Sequence, residues 1–247
     1  MSSGKHQKKA TNRIRVLRHI ARYRLTIRPV LDRKFFNGKQ GASHNVIQEL
    51  LRSALISQHS IGSFSYYQLT PAAALELGVQ ATMIKSPGSK LRDYLAILWY
   101  CHMLKPSREL LPPDKLKQYF PSARLQAPHC IEPTKAGKPH CLYRVRLAGQ
   151  NVSDWSLIKD LREYIQKASD PYSEIRPLLL RRLYGFAVLC HDQARATKLK
   201  KTVQEKRIPN VRDGSKFRRI PFRFLVVPGP ETLGDSIHEH RRNQENK

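Results

Sequence analysis

Asn45, Gln48 and Arg52 have the side-chain types and the spacing to read the edges of base pairs. On a helix, positions i, i+3 and i+7 share one face. The carboxamides of Asn and Gln pair bidentately with adenine, and a guanidinium pairs with guanine, each such pair discriminating by about 1 to 3 kcal/mol. Two other groups of residues suggest different chemistry. Each of the four cysteines adjoins a histidine: Cys101-His102, His129-Cys130, His140-Cys141 and Cys190-His191. The middle two pairs flank residues 135–138, where a hairpin could bring two thiolates and two imidazoles toward Zn2+. Neighbouring residues on a strand point to opposite faces, however, and the Cys-x2-Cys spacing is absent. The expectation is therefore no metal and no cofactor, with small buried cysteines beside surface histidines. A metal-dependent nuclease needs an acid on one strand and an acid-x-Lys on the next. The acid-x-Lys triplets here are Asp32-Arg33-Lys34 and Glu245-Asn246-Lys247, and neither is placed for catalysis. The strand where such acids belong reads Tyr143-Arg144-Val145-Arg146, which leaves Glu132, Asp154 and Asp192 as scattered carboxylates. With no Gly-rich phosphate loop, no serine elbow and no His-Glu-x-x-His, the chain is not expected to be an enzyme.

The elements that must position Asn45, Gln48 and Arg52 follow from periodicity. Residues 1–10 read as a mobile basic arm carrying Lys5, Lys8 and Lys9, of the kind that enters a minor groove. From Thr11 to Tyr23 the apolar Ile14, Val16, Leu17, Ile20 and Ala21 oppose Arg15, Arg18 and Arg22, which predicts an amphipathic helix with a cationic face. Thr26 is expected to cap a second short helix that carries Pro29, followed by a turn over 37–41 containing Lys39. Ser43 then caps a third helix to about residue 54, with Val46, Ile47, Leu50, Leu51 and Ala54 inward and Asn45, Gln48, Glu49 and Arg52 outward. Strands at 55–59 and 64–69 flank a turn at 60–63, and Thr70-Pro71 opens a helix that stops at Gly78. This order predicts a winged helix-turn-helix over residues 11–85. Base contacts would come from Asn45, Gln48 and Arg52, and backbone contacts from Arg15, Arg18, Arg22, Lys39, Ser43, His59, Ser60 and Ser63.

A linker at 83–89 separates a second half in which helices and strands alternate. Helices are expected at 90–105, 112–120, from Ser153 with the stripe Trp155, Ile158, Leu161 and Ile165, at 175–183, and at 192–207. Strands are expected within 125–147, at 185–190 and at 221–227. The prediction is a small mixed α/β domain over 90–233 and a polar tail over 234–247.

Charge names the partner. The 45 Lys and Arg against 19 Asp and Glu give a net charge of +26, far beyond what solubility needs. Such a balance implies a polyanion, with nucleic acid ahead of a membrane surface. Residues 1–40 hold twelve basic residues against Asp32 alone, and 195–223 hold eleven against Glu205 and Asp213. The second run, with Lys198, Lys200, Lys201, Arg218 and Arg219, reads as an accessory basic surface. The longest apolar run, 95–104, is too short to span a bilayer, so no membrane partner is expected. A basic N-terminus leading into an Arg-studded helix, with no apolar signal core, points to a cytoplasmic, nucleoid-associated protein whose cysteines are thiols.

The run Tyr66-Tyr67-Gln68-Leu69-Thr70-Pro71-Ala72-Ala73-Ala74-Leu75-Glu76-Leu77-Gly78 resembles the end of the winged helix in the replication-relaxation family of plasmids, phages and other mobile elements. In that family the wing's second strand leads into a Leu-Thr-Pro helix, and the similarity covers residues 11–80. The strand and helix order from 142 to 227 is similar to that family's C-terminal domain, a restriction-endonuclease-type α/β core, here degenerate. The resemblance implies a sequence-specific binder of double-stranded DNA that controls transcription, plasmid replication or conjugative transfer. It also leaves the second domain free for a homodimer or a protein partner. The high charge admits two alternatives, a structured-RNA or ribonucleoprotein component and a metal-dependent nuclease.

Overall fold

Residues 3–23 contain no proline and are rich in Lys and Arg, with Ala10 and Ala21, all of which favour helix. They form α1 (Ser3–Tyr23) in a computed structural model that describes residues 3–80, 84, 88–122, 125, 127–133, 140–149, 151–208, 210–213 and 216–245. The segment expected to be a mobile arm is thus, from Ser3 onward, the start of that helix. The linker expected at 83–89 lies mostly outside the described residues. Within it Ile84 is buried, its N–H donating to Gln68 Oε1 at 3.3 Å and its carbonyl accepting from the Tyr66 hydroxyl at 3.1 Å.

After α1 the chain forms a two-residue strand β1 (Thr26–Ile27), then α2 (Arg28–Phe35) and α3 (His44–Arg52). Thr26 does not cap α2. The residue before the helix is Ile27, and the buried Thr26 hydroxyl instead meets His19 Nε2 at 3.1 Å. Strands β2 (Ile56–Ile61) and β3 (Phe64–Leu69) form an antiparallel hairpin from Ile56↔Leu69 to Ile61↔Phe64, turning at Gly62 with φ 51°. β2 runs two residues further than expected, so Ser60 belongs to a strand rather than to the turn, while β3 has the expected bounds. β1 adds beside β3, Thr26 opposite Tyr67, giving a sheet of order β1-β3-β2. Thr70 Oγ1 accepts the Ala73 N–H at 3.3 Å and caps α4 (Pro71–Glu76), which ends before Gly78 at φ 63°. The core under these elements is Val16, Ile20, Leu31, Val46, Ile47, Leu50, Ile56, Tyr67 and Leu69. Helix α5 (Ser89–His102) packs on α1 and α2.

The mixed α/β second half is built on a five-stranded sheet. Its elements are β4 (Glu109–Leu110), α6 (Pro113–Tyr119), β5 (His129–Glu132), β6 (Cys141–Ala148), α7 (Asp154–Ala168), α8 (Arg176–Leu180), β7 (Tyr184–Cys190), α9 (Gln193–Glu205), β8 (Asn210–Asp213), β9 (Lys216–Arg219) and β10 (Phe222–Val226). Sheet order is β10-β7-β6-β5-β4. β4, β5 and β6 form an antiparallel meander, and β6, β7 and β10 run parallel through the α7 and α9 crossovers. β8 and β9 form a separate hairpin. β7 is buried along its whole length, as befits an apolar run inside a parallel sheet. Leu157, Ile158, Leu161 and Ile165 of α7 join Leu199 and Val203 of α9 against Tyr184, Phe186 and Val188. Trp155, expected in that stripe, is instead 68 % exposed, with Lys159 Nζ 5.1 Å from its ring.

The residues expected to be a polar tail form α10 (Leu233–Glu245), which buries Leu233 and Ile237. The chain accordingly divides into two compact units, Met1–Met103 with Pro228–Lys247, and Leu104–Val227. The first boundary falls after α5 rather than at 85 because α5 closes the α1–α2 side. The His102 ring lies 4.7 Å from that of Tyr23 and 5.0 Å from that of His19, and Arg33 Nη1 donates to the Met103 carbonyl at 2.8 Å. No helix among the described residues is long and apolar enough to cross a membrane.

Among the described residues three imidazoles are buried. Burial, then His102, Lys34 and Arg22, holds His19 well below its ordinary range. Burial, then Lys34, Arg33 and Arg22, pushes His102 down to about 3. Burial brings His129 to about 4, although the Ala127 carbonyl opposes the shift. Because that carbonyl can only accept, His129 Nδ1–H donates to it at 2.7 Å. Nε2 therefore accepts from the Tyr184 hydroxyl at 2.8 Å, and Tyr184 accepts from Tyr164 at 2.6 Å. An unfolded histidine takes up its proton near pH 6.5, whereas these do not while folded, so their stabilisation is complete above about pH 6.5 and falls on acidification. At pH 5 His102 and His129 should each cost about 2 kcal/mol relative to pH 7.5. Urea unfolding at the two pH values checks this, and His102→Phe should flatten the dependence by one proton.

Candidate nucleic-acid interface

The interface is built on the turn between α2 and α3. Asn37, Gly38 and Gly41 adopt φ of 54°, 77° and 75°, which lets the chain reverse within a few residues. Asp32, buried in α2, organises that reversal. Its backbone carbonyl accepts the N–H groups of Phe36 at 3.1 Å and Gly38 at 2.9 Å. Its carboxylate accepts those of Gly41 at 2.9 Å through Oδ2 and Ser43 at 2.8 Å through Oδ1. Charge-assisted bonds from two backbone donors offset the cost of burying the carboxylate. The sequence marks Asp32 as part of an acid-x-Lys triplet and as the one acid among the basic residues of 1–40, and neither points to this role. An acid ahead of a glycine-rich turn was the signal available.

Ser43 departs from expectation. It is buried, makes no side-chain cap on α3 and meets Asp32 through its backbone N–H, so it does not present a hydroxyl to a phosphate. A serine held in helical conformation by the preceding turn has no route for its Oγ to the helix's free N–H groups. Asn45 and Arg52 are exposed and Gln48 is half-buried, opposite Val46, Ile47 and Leu50 in the core. Glu49, the one acid on that helix, is ion-paired to Arg13 Nη1 at 2.9 Å, which removes most of its repulsion toward a phosphate.

The other α1 arginines lie apart from this pairing. Arg15 sits over the Phe35 ring at 5.2 Å, toward the end of α2, Arg18 is exposed, and Arg22 is half-buried near His19 and Lys34. Lys39 is exposed in the turn itself. On the hairpin, His59 stacks on Tyr66 with ring centroids 5.0 Å apart, and its Nε2 meets Ser57 Oγ at 3.0 Å. Ser60 and Ser63 are exposed. The tip is backed by α10, where Phe64 lies 6.0 Å from His238 and a Cβ on Gly234 would come within 2.9 Å of the Phe64 ring. The pattern Thr232-x-x-Asp235, which spans Leu233 and precedes Ile237, is a local helix-start signal.

In the second unit, three of the five basic residues singled out from sequence are paired. Lys198 meets Asp154 at 3.0 Å, Lys201 meets Glu205 at 3.8 Å, and Arg218 meets Asp213 at 3.2 Å. Lys200 and Arg219 have no such partner among the described residues. The carboxylates considered for a metal are also engaged. Glu132 is held by Arg108 at 2.8 Å and by Arg223, Asp154 by Arg195 at 3.0 Å and by Lys198, and Asp192 accepts the Arg195 N–H at 2.6 Å as the cap of α9. All four cysteines are free thiols. Register places Cys130 opposite Tyr143 and Cys141 opposite Glu132, and both His129 nitrogens are occupied, so the middle Cys-His pairs do not meet across the hairpin.

Compared with protein-family models, curated proteins and solved structures, the chain finds no match. The interface therefore rests on its own geometry, and Asp32 is its most exposed assumption. Asp32→Ala leaves two buried N–H groups without an acceptor and should cost about 3 kcal/mol, measured by urea unfolding. Asp32→Asn keeps one acceptor and should lose less. Equal stability of both variants with the parent would remove Asp32 from this role.

Proposed function

We propose that the chain is a sequence-specific binder of double-stranded DNA that catalyses no reaction of its own, and that its first unit is a winged helix with α3 in the major groove. The observation that carries this reading is the pinned α2–turn–α3 reversal, which presents Asn45, Gln48 and Arg52 outward while Arg13 neutralises Glu49. A major groove distinguishes all four base pairs, and carboxamide and guanidinium groups are the side chains that read them. The three-stranded sheet β1-β3-β2, with its exposed Ser60 and Ser63, supports a wing. Lys39, Arg15, Arg18 and Arg22 then serve the backbone, and Ser43 does not.

The meander followed by two parallel crossovers supports reading the second unit as a degenerate restriction-endonuclease-type core. Arg144 and Arg146 stand on β6, where such an enzyme would carry acids. Arg144 lies 3.5 Å from the Tyr164 ring centroid and Arg146 is paired with Asp160. The role that fits is control of replication, transcription or transfer of a mobile element, as the resemblance of residues 66–78 implies. Mg2+-dependent cleavage of a duplex by the purified chain would overturn the non-enzymatic part of the reading.

Gln48→Ala and Arg52→Ala should each weaken binding to a selected site by about 1 to 3 kcal/mol while leaving weak binding to unrelated duplex nearly intact. Footprints unchanged in both variants would move recognition elsewhere. Neutralising Lys39 or Arg18 should lower the magnitude of the log affinity against log salt slope by about 0.9 per residue. A slope that stays put marks that residue as a solvated charge.

A further inference from the structure

The second unit contains a cleft of about 330 Å3 lined by Arg182, Lys200, Gln204, Arg219, Phe222 and Phe224, together with Val203, Ile220 and Pro221. It lies between α9 and β10, the edge strand of the sheet. Two properties are combined in it. Its three cations have no acidic partner among the described residues, whereas Lys198, Lys201 and Arg218 are each ion-paired. Its apolar wall is a run of near-parallel rings. The buried Phe186 stacks on Phe222 at 4.9 Å and 20°, and Phe222 on Phe224 at 6.1 Å and 17°, both of the latter half-buried.

Unpaired guanidinium and ammonium groups beside an open aromatic stack match a phosphate joined to a flat heterocycle. Phosphates gain from the cations, and a base gains about 1 to 3 kcal/mol from an aromatic face whatever its identity. Bases inside a duplex are already stacked on one another and cannot extend the rings. We propose that this cleft binds a single nucleotide unit, its phosphate toward Arg182, Lys200 and Arg219 and its base continuing the stack at Phe224. The unit is either a free mononucleotide or one unpaired nucleotide of a single strand. The inference shares no residue with the duplex-reading face and does not depend on it.

The test uses the full chain, with labelled oligothymidylate followed by fluorescence anisotropy and dTMP followed by calorimetry. Binding of both assigns the cleft to the nucleotide itself, and binding of the oligonucleotide alone assigns it to a strand. Phe224→Ala should weaken binding about tenfold. Because that ring also touches the core, Lys200→Gln and Arg219→Gln provide exposed alternatives, each lowering the magnitude of the salt slope by about 0.7. Gln48→Ala and Arg52→Ala should leave this binding unchanged. The proposal is overturned if neither probe binds, by equal affinity for an abasic strand, by indifference to Lys200→Gln and Arg219→Gln, or by loss of binding in the α3 variants.

Discussion

The carboxylate of Asp32 is the constraint on which the placement of α3 depends. A buried carboxylate is costly unless donors surround it, and here the donors are the backbone N–H groups of Gly41 and Ser43 at the far end of the turn. The same residue's carbonyl holds the near end through Phe36 and Gly38. One side chain and its own peptide group therefore set where α3 begins. Since a helix rotates about 100° per residue, the start of α3 decides which residues face the core and which face outward. Val46, Ile47 and Leu50 lock that rotation from below, and the Arg13–Glu49 pair ties the outer edge back to α1.

The large positive charge is unevenly available. Arg195 donates to Asp154 and to the carbonyls of Ala148, Gly149 and Val152, so its guanidinium serves the loop ahead of α7 rather than a ligand. Arg223, with Arg108, balances the buried Glu132, and its guanidinium also lies 4.7 Å from the Tyr143 ring. Exposed pairs such as Lys201–Glu205 are worth at most about 1 kcal/mol, and an arriving polyanion can displace them. Of the eleven basic residues between 195 and 223, Arg195 and Arg223 are structural cations, Lys198, Lys201 and Arg218 are weakly paired, and Lys200 and Arg219 join Lys206, Arg207 and Lys216 in having no acidic partner among the described residues. Of these last, Lys200 and Arg219 are the ones that line the aromatic cleft.

Local signals carried much of the fold. The opposition of Val16 and Ile20 to Arg15 and Arg18 wrote α1, the alternation after Leu55 wrote the hairpin, and Thr70, Ser153 and Asp192 each accept a backbone N–H at the helix start they were read to mark. Apolar period and cap chemistry act within a few residues, so a single chain displays them. Weaker local signals were lost. β1 and β4 are two residues long, too short for any period, and exist because β3 and β5 offer them partners. The β8–β9 hairpin is mostly charged, and α10 was hidden by a polar composition with Leu233 and Ile237 as its main buried contacts.

The sequence by itself determined the mixed α/β class and the amphipathic faces, because composition and short-range periodicity depend on no distant residue. Tertiary structure alone decided which charges remain unpaired and which polar groups are buried. Arg223 meets Glu132 across 91 positions and Arg13 meets Glu49 across 36, and nothing in either neighbourhood marks the partner. Ser43 shows the same division. Its type and place suited a cap on the surface, but the carboxylate of Asp32, eleven residues earlier, claims its backbone N–H and turns it into the interior.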